Sequence, residues 1–296
     1  MIDPKLITFI NAASLKNYTR TAEKLNMTQP AVTQHIKQLE EYYRVNLINK
    51  NGRQITLTEE GKMLLKYAKD LEANSIIFER AIRNKSSVIK KYKIGATLTI
   101  GEFVLPGLLG EHKKQYEYID IIIEVHNLEE VINRLVTGQF DLGIVEGPFD
   151  KSRFLYEKLK DDELVLVVSP QSSLLSSPEV ELTQIINSGK LIMREKGSGT
   201  RVIFENKLVE LGIDYKNIKI YMEVGSIGAI KSLVQADLGC TVISREAVKK
   251  ELEAGSLKIV PIRGVKIMRE FNFIYLNNSE PDFVRNFINF IKQKTN

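Results

Sequence analysis

From Tyr92 to the C-terminus, short apolar runs typical of strands alternate with longer amphipathic stretches typical of helices. Strands interleaved with helices of ten or more residues predict an α/β fold with parallel sheets. This segment of about 205 residues is large for one such sheet, so two lobes are expected. The predicted strands span 93–97, 119–125, 140–145, 163–168, 190–193, 218–222, 240–243 and 269–275. The predicted helices span 101–116, 128–137, 200–211, 226–235, 245–253 and 282–294.

The first 42 residues carry a different pattern, that of three short helices. Thr19 is predicted to cap the second helix. Thr28 is predicted to cap the third, with Gln29 and Pro30 in its first turn, where a missing amide hydrogen costs nothing. The third helix buries one face and turns its polar side chains outward, namely Gln29, Thr33, Gln34, Lys37 and Gln38.

Two helices joined by a tight turn, with glutamine, threonine and lysine on the second, are typical of a helix-turn-helix that enters the DNA major groove. The Asn51-Gly52 pair is a strong hairpin signal, and 54–57 alternates as a strand should. The hairpin around Lys50 and Arg53 is therefore expected to act as a basic wing on phosphates. The alternative is that these residues form the ordinary polar face of a small helical bundle.

The position of the charge bears on this choice. Residues 1–90 hold 15 Lys and Arg against 9 Asp and Glu, a net charge of +6. The remaining residues hold 27 against 28, a net charge of −1. A basic excess confined to one part of the chain is expected where that part meets a polyanion, although a solvated lysine-rich helix would give the same count.

A long helix is predicted from Thr58 to about Arg83, ending in the polar segment 84–87. It carries apolar residues at heptad spacing, which predicts a seam for a second copy of the chain. The residues of this seam are Leu64, Ala68, Leu71, Ser75, Phe78 and Ile82.

Several classes of protein are excluded by composition. No apolar run approaches the roughly 20 residues of a membrane-spanning helix. Asp3 and Pro4 stand where a signal peptide would begin its apolar core, so a cytoplasmic protein is expected. The single cysteine, Cys240, excludes an internal disulfide, and its apolar neighbours favour a buried, inert thiol over a nucleophile or thiol sensor. Three scattered histidines predict no metal centre, and no cofactor is expected.

The residues around the third helix resemble one family closely. The segment 25–40, LNMTQPAVTQHIKQLE, is similar to the recognition segment of the LysR-type transcriptional regulators. LTEEG at 57–61 resembles the end-of-wing signature of that family. FDLGIVEG at 140–147, GSGTR at 197–201 and GCTVI at 239–243 resemble features of the effector domain in one branch of it. The similarity covers essentially the whole chain in the right order.

The resemblance implies an α/β protein with an N-terminal winged helix-turn-helix domain. It also implies an effector domain of two Rossmann-like α/β lobes, similar to type 2 periplasmic binding proteins. Such a protein is a sequence-specific transcriptional regulator of double-stranded DNA, controlled by a small-molecule effector. A homodimer through the linker helix is expected, and a homotetramer through the effector domains follows from the resemblance alone. The implied ranges are 1–58 for the winged domain, 59–86 for the linker helix, 87–91 for a hinge, and 92–296 for the effector domain, with lobe I at about 92–161 and 266–296 and lobe II at about 162–265.

The sequence departs from the family pattern just before the wing. Where the family usually has a glycine followed by Leu-Phe-x-Arg, this chain reads RVNLINK at 44–50. Lys50 keeps the positive charge but lacks the guanidinium fork that grips a phosphate with two bonds. The residues expected at the DNA interface are Thr28, Gln29, Pro30, Thr33, Gln34 and Lys37 in the recognition segment, and Lys50 and Arg53 on phosphates.

The effector is expected to be a small anion held between the two lobes. The segment 197–201 follows a strand and opens a helix, where free amides and hydroxyls suit an anion. Residues 97–99 and 225–226 have the same setting, and such strand ends converge on one cleft. Arg201 supplies charge if its side chain turns inward. The predicted effector-binding residues are Thr97, Thr99, Asn127, Glu146, Ser198, Thr200, Arg201 and Ser226.

Each of these assignments has a plainer alternative. The glycine-rich segment at 197–201 also fits a simple capped turn between a strand and a helix. Glu146 also fits a loop cap, and His126, beside Asn127, also fits an ordinary surface residue.

Two other classes of function share a two-lobed α/β domain. A solute receptor for a transporter would need an export signal and no DNA-binding head. An enzyme would need a nucleophile–base pair, a metal cluster or a phosphate loop, and the sequence shows none of these. The chain is therefore not predicted to be an enzyme.

Overall fold

The structure is a computed structural model that describes residues 2–51, 54–279 and 281–295. The chain divides into two compact units. The first is Met1–Ser86 with Val136–Gln139, and the second is Ser87–Leu135 with Phe140–Asn296.

The first unit is helical with one hairpin. Its elements are α1 (Pro4–Leu15), α2 (Tyr18–Leu25), α3 (Gln29–Tyr43), β1 (Ile48–Asn51), β2 (Gln54–Leu57) and α4 (Glu59–Ser86). Strands β1 and β2 pair antiparallel, with Ile48 opposite Leu57. Helices α1, α3 and α4 pack with the hairpin around one apolar core, which includes Phe9, Ile36, Leu39, Leu47, Ile55 and Ala68.

Side-chain caps set the starts of the short helices. Thr28 caps α3 as predicted, its hydroxyl oxygen accepting the amide hydrogen of Ala31 at 3.4 Å. The prediction that Thr19 caps α2 is wrong, because Asn17 has the extended cap conformation and accepts the amide hydrogen of Arg20 at 3.0 Å. Asparagine and threonine are both good N-caps, so the sequence alone does not choose between two positions so close together.

The second unit is an α/β structure. Its strands are β3 (Lys90–Thr97), β4 (Ile119–His126), β5 (Leu142–Glu146), β6 (Leu155–Val168), β7 (Leu191–Arg194), β8 (Ile220–Val224), β9 (Thr241–Ser244), β10 (Lys258–Val260) and β11 (Ile267–Tyr275). Its α-helices are α5 (Leu105–Gln115), α6 (Leu128–Val136), α7 (Leu182–Asn187), α8 (Gly199–Glu210), α9 (Ile227–Gln235), α10 (Lys249–Glu253) and α11 (Pro281–Thr295). A π-helical turn at Ile100–Val104 precedes α5. Short elements such as α7 and β10 were not predicted, because so few residues show no clear period.

The main sheet is mixed rather than parallel. Its strands run in the order β10–β6–β11–β5–β3–β4, and β9 also pairs with β6. The expected parallel pairing is found between β3 and its neighbours β4 and β5, and between β7 and β8. It is wrong for β6 and β11, which pair antiparallel. The chain leaves one lobe along β6 and returns along β11, so these two strands necessarily run in opposite directions.

Two lobes follow from where the cores lie along these crossing strands. One core takes its buried residues from 92–159 and 271–291. The apolar clusters of the other lobe take theirs from 164–267. The change from one lobe to the other therefore falls between Leu159 and Leu164 on β6, and between Ile267 and Phe271 on β11.

In the part of the chain that the structure describes, no helix is both long enough and apolar enough to cross a membrane.

Candidate nucleic-acid interface and ligand cleft

The polar face of α3 is open to solvent, while Val32, Ile36 and Leu39 on its other face are buried. The side-chain amide of Gln29 donates to the Thr33 hydroxyl at 3.2 Å, one helical turn away. The structure thus brings the predicted recognition residues onto one face of one helix. Thr33 is half-buried, and the exposed residues are Thr28, Gln29, Pro30, Gln34 and Lys37.

The predicted wing is the β1–β2 hairpin. Lys50 lies in β1, opposite Ile55 of β2. The predicted turn residue Gly52 and the predicted phosphate contact Arg53 lie outside the described residues.

The two lobes of the second unit meet at Arg269 of β11, which lies opposite Asp162 of β6. The Arg269 side chain is only 1% exposed, and its Nε donates to Asp162 Oδ2 at 2.7 Å. Its Nη1 donates to the Thr200 hydroxyl at 2.9 Å, and its Nη2 to the Thr99 hydroxyl at 3.4 Å. One buried guanidinium therefore joins a hydroxyl from each lobe.

Thr97 and Glu146 lie beside this guanidinium, at the ends of the parallel neighbours β3 and β5. The Thr97 hydroxyl is hydrogen-bonded to the Glu146 carboxylate, and it accepts the Glu146 amide hydrogen at 3.3 Å. Arg269 Nη1 lies 3.9 Å from Glu146 Oε1. Burial raises the pKa of Glu146, although the nearby Arg269 charge opposes this shift.

The N-terminus of α8 closes the cleft from the second lobe, and glycine makes this approach possible. A Cβ on Gly199 would lie 2.1 Å from the carbonyl oxygen of Glu146, so a larger residue would force α8 away from β5. Gly197 has a φ of 86°, in the left-handed region that favours glycine. Ser198 is buried, and Thr200 lies in the first turn of α8, where backbone amides remain available to a ligand.

Arg201 does not occupy the position that we expected. Its Nε donates to Glu205 at 2.7 Å, and its Nη1 donates to Glu223 at 2.5 Å. Arg201 was expected to supply positive charge to the cleft if its side chain turned inward. In this structure the side chain bonds Glu205 and Glu223 instead. The arginine that bonds a hydroxyl from each lobe is Arg269.

The two remaining predicted residues both cap helices. The Asn127 side chain accepts the Glu130 amide hydrogen at 2.9 Å, and its Nδ2 would lie 3.3 Å from a Cβ placed on Gly197. Asn127 therefore lies where the two lobes approach each other. Ser226 is exposed, and its hydroxyl oxygen accepts the Ala229 amide hydrogen at 3.3 Å, so the structure gives it a capping role.

Sequence reasoning missed three buried charged residues of the cleft: Arg269, Asp162 and Arg194. Arg194 ends β7 and donates to Glu195 at 2.8 and 2.9 Å. Among the described residues, Arg194 Nη1 and Asp162 Oδ1 are buried without a hydrogen-bond partner. The sequence feature that could have identified them is a charged residue in or beside an apolar strand, as in the segment 267–275, IMREFNFIY. Buried charges of this kind require partners, and strand pairing supplies those partners only in the folded chain.

Cys240 is buried, as predicted, and burial raises the pKa of its thiol to about 11. The thiol is therefore neutral and unreactive near pH 7. His126 is half-buried, with Nε2 3.4 Å from a Glu124 carboxylate oxygen. Within residues 2–51, 54–279 and 281–295, no group of three or more histidine, cysteine or acidic side chains is placed to hold a metal ion.

Comparison with known families accounts for both units. Residues 5–62 match the bacterial regulatory helix-turn-helix protein family of lysR type, and residues 87–296 match the LysR substrate binding domain. The chain belongs to the LysR family of transcriptional regulators. The resemblance inferred from the recognition segment is confirmed, as are the winged helix-turn-helix and the two-lobed α/β effector domain.

Similar proteins of this family are named as regulators, so the chain is a transcriptional regulator and not an enzyme. The HTH-type transcriptional regulator CysL of Bacillus subtilis is 31% identical over 274 residues, which cover 91% of this chain and 89% of CysL. The HTH-type transcriptional activator CmpR of Synechocystis is 30% identical over 276 residues, covering 93% of this chain and 90% of CmpR.

Solved structures of LysR-type regulators share the fold. The Synechocystis CcmR regulatory domain in complex with 2-PG is 26% identical, with a TM-score of 0.62 over 69% of this chain and 97% of that one. The full-length Vibrio cholerae virulence activator AphB has a TM-score of 0.56 at 20% identity and covers 97% of both chains. At that identity, AphB supports the fold alone.

Proposed function

We propose that this LysR-type regulator binds a small anionic effector in the cleft between its lobes, and that the bound effector changes how the chain acts on its operator. The observation that carries the proposal is Arg269, whose buried guanidinium holds Thr99 of one lobe and Thr200 of the other. A ligand that takes over these donors would favour one arrangement of the lobes, and such differential affinity is what a regulatory effector requires.

The donors around this guanidinium suit an anion. Threonine hydroxyls and the first-turn amides of α8 donate hydrogen bonds without adding charge. We infer that the anion takes donors now used by the Glu146 and Asp162 carboxylates, with Arg269 as its counter-charge. The effector site then comprises Thr97, Thr99, Asn127, Glu146, Ser198 and Thr200, with Arg201 and Ser226 as supports of the α8 and α9 N-termini.

Charge balance indicates that Glu146 is protonated when the anion binds. Arg269 already faces two carboxylates, those of Asp162 and Glu146, and Arg194 is paired with Glu195. An additional negative charge among these groups is unfavourable unless a carboxylate becomes neutral. Burial favours neutral Glu146, so anion affinity is expected to rise as the pH falls.

Calorimetric titration of the full chain tests this site. The ligands are inorganic anions, small carboxylates and 2-PG, the molecule bound to the CcmR domain. Thr97→Ala and Thr200→Ala should each weaken binding of the active anion about tenfold, since each removes one hydrogen bond to a charged group. Thr183→Ala, an exposed threonine of the same unit, serves as the control. An effector whose affinity ignores both cleft substitutions would place the site elsewhere.

We further propose that α3 reads base edges while the wing holds phosphates. Thr28, Gln29, Pro30, Thr33, Gln34 and Lys37 would lie in the major groove, and Lys50 and Arg53 would lie on the backbone. Replacing Gln34 with Ala should relax sequence preference, because a bidentate base contact contributes roughly 1–3 kcal/mol of discrimination. Replacing Arg53 with Ala should weaken all sequences alike and reduce the salt dependence. Unchanged operator binding by both variants would contradict the assignment.

The assembly proposed for this regulator is a homodimer through α4, and a homotetramer through the effector domains. Two-fold symmetry places two recognition helices on one face of a DNA duplex, which is how a short helix gains specificity. A regulator that works on chromosomal DNA is proposed to act in the cytoplasm.

A further inference from the structure

We propose that Glu40 is a positioning residue for DNA recognition, whose carboxylate fixes the wing hairpin relative to the recognition helix. Glu40 lies in the last turn of α3 and is half-buried. Its carboxylate bonds the backbone at the start of the wing, so we assign it no contact with DNA. The inference rests on the wing–phosphate contacts proposed above.

One oxygen of the Glu40 carboxylate holds the start of the wing. Glu40 Oε1 accepts the amide hydrogen of Leu47 at 2.9 Å and that of Ile48, the first residue of β1, at 3.2 Å. Hydrogen bonds to an ionised carboxylate are roughly twice as strong as neutral ones. These two bonds tie α3 directly to the first strand of the wing.

Further hydrogen bonds hold both ends of the same hairpin. The carbonyl oxygen of Glu40 accepts the amide hydrogens of Arg44 and Val45, the latter at 3.2 Å. At the far end of the hairpin, the Thr58 hydroxyl donates to the carbonyl oxygen of Asn46 at 2.7 Å. These hydrogen bonds fix the base of the hairpin, and the Glu40 carboxylate is the charged group among them.

The expected change in DNA affinity on removing Glu40 is opposite to the change that its charge alone would cause. Removing a negative charge from a DNA-binding domain should tighten its hold on a polyanion. Removing Glu40 should instead weaken binding, because β1 loses its fixed place, and the proposed phosphate contact of Lys50, on the same strand, is lost with it. One phosphate contact corresponds to roughly a five- to tenfold change in affinity at about 0.1 M salt.

The experiment measures affinity of the full chain for one labelled duplex, recovered by selection with the wild type, over a series of salt concentrations. Glu40→Ala removes the carboxylate, and Glu40→Asp keeps the charge but shortens its reach by one methylene. Both should bind roughly five- to tenfold more weakly and lose about one phosphate from the salt slope. Glu40→Gln, which retains an acceptor oxygen, should fall between them and the wild type.

Two further variants serve as controls. Glu23→Ala removes an exposed acidic residue of α2 and should bind as tightly as the wild type or more tightly. Lys50→Ala should lower the DNA affinity as much as the Glu40 variants do. Combining it with Glu40→Asp should lower the affinity little further, because both changes would remove the same phosphate contact.

Wild-type affinity in Glu40→Asp would overturn the positioning role, and so would full additivity with Lys50→Ala. If Glu40→Ala does not fold, as shown by its thermal melt, the charge-conserving Asp variant and the similarly shaped but neutral Gln variant decide the question. Unchanged binding by Lys50→Ala alone would contradict the proposed wing contact instead, so the two failures are distinguishable.

Discussion

Glu146 is the buried carboxyl group that connects stability to pH. Burial raises its pKa above the usual value near 4.5, against the opposing charge of Arg269. A raised pKa in the folded state means that the folded chain holds the proton more tightly than the unfolded chain. The resulting stability is fully present below the unfolded pKa, and it is lost as the pH rises through the folded pKa.

Glu146→Gln should therefore be more stable than the wild type at pH 8, and this advantage should shrink towards pH 5. The amide keeps the shape of the side chain and removes the cost of a buried charge. Urea denaturation of both proteins at each pH gives the two free energies of unfolding. Glu117→Gln, at an exposed position, is the matched control. A stability difference that does not change with pH would contradict this account of Glu146.

Arg44 has a backbone conformation that favours glycine. It is the C-cap of α3, and its φ of 55° lies in the left-handed region. This conformation destabilises a residue with a Cβ by roughly 1–2 kcal/mol. Glycine avoids that strain, but it loses more conformational entropy on folding, which offsets part of the gain. Arg44→Gly should therefore raise the free energy of unfolding by up to about 1 kcal/mol.

Arg44→Ala separates backbone strain from charge, because it removes the guanidinium but keeps the Cβ. Thermal denaturation should show a gain for the glycine variant alone. Equal stability of the glycine and alanine variants would mean that the backbone at Arg44 is not strained.

At the scale of elements, α4 carries an apolar stripe that its own unit leaves uncovered. Leu71, Phe78 and Ile82 are between 52% and 63% exposed, as are Met63 and Tyr67. Four- and seven-residue spacings align these side chains along one face of the helix. An apolar stripe of this kind on a long helix fits a second copy of the chain.

Glutamate at both Leu71 and Phe78 should convert the proposed dimer into a monomer. Each buried side chain of this kind contributes about 2 kcal/mol. Losing one symmetric pair raises the dimer dissociation constant roughly a thousandfold, and the double variant loses two pairs. Light scattering of the full chain at micromolar concentration measures the mass. Lys66→Glu changes an exposed charge away from the stripe and should leave the mass unchanged. A wild-type monomer under these conditions would defeat the prediction.

The same helix shows where sequence patterns stop being informative. Heptad spacing assigned Leu64 and Ala68 to the seam, but Ala68 is buried and both pack in the core of the winged domain. Met63 and Tyr67 are exposed instead. Spacing shows that a helix has apolar positions, but it does not show which partner covers each one, because that depends on the folded neighbours.

In the cleft, too, some residues are predicted by local sequence patterns and others are not. Local strand-to-helix patterns predict Thr97, Thr99 and Thr200. The structure places Thr99 and Thr200 on the Arg269 guanidinium, and Thr97 on the neighbouring Glu146 carboxylate. Arg269 and Asp162 become partners only through the pairing of β6 with β11, across more than one hundred residues of sequence. No local pattern encodes that register.

At the scale of the whole molecule, one chain combines a winged helix-turn-helix with a two-lobed LysR substrate binding domain. The central claim is that the exposed face of α3 reads DNA sequence, and that two copies of the chain do so together. The claim makes a geometric prediction, because dimeric helix-turn-helix proteins place their half-sites about one helical turn, or a multiple of it, apart.

Selection of bound duplexes from a random pool by the full-length chain tests this claim most directly. The account predicts enrichment of an inverted repeat whose half-site centres lie about 10 base pairs apart, or a multiple of that distance. Selection with Gln34→Ala should lose the preference at one position of each half-site, whereas Thr183→Ala should recover the wild-type sequences. Recovery of an unenriched pool by the wild type, or of identical sequences by Gln34→Ala, would contradict the account.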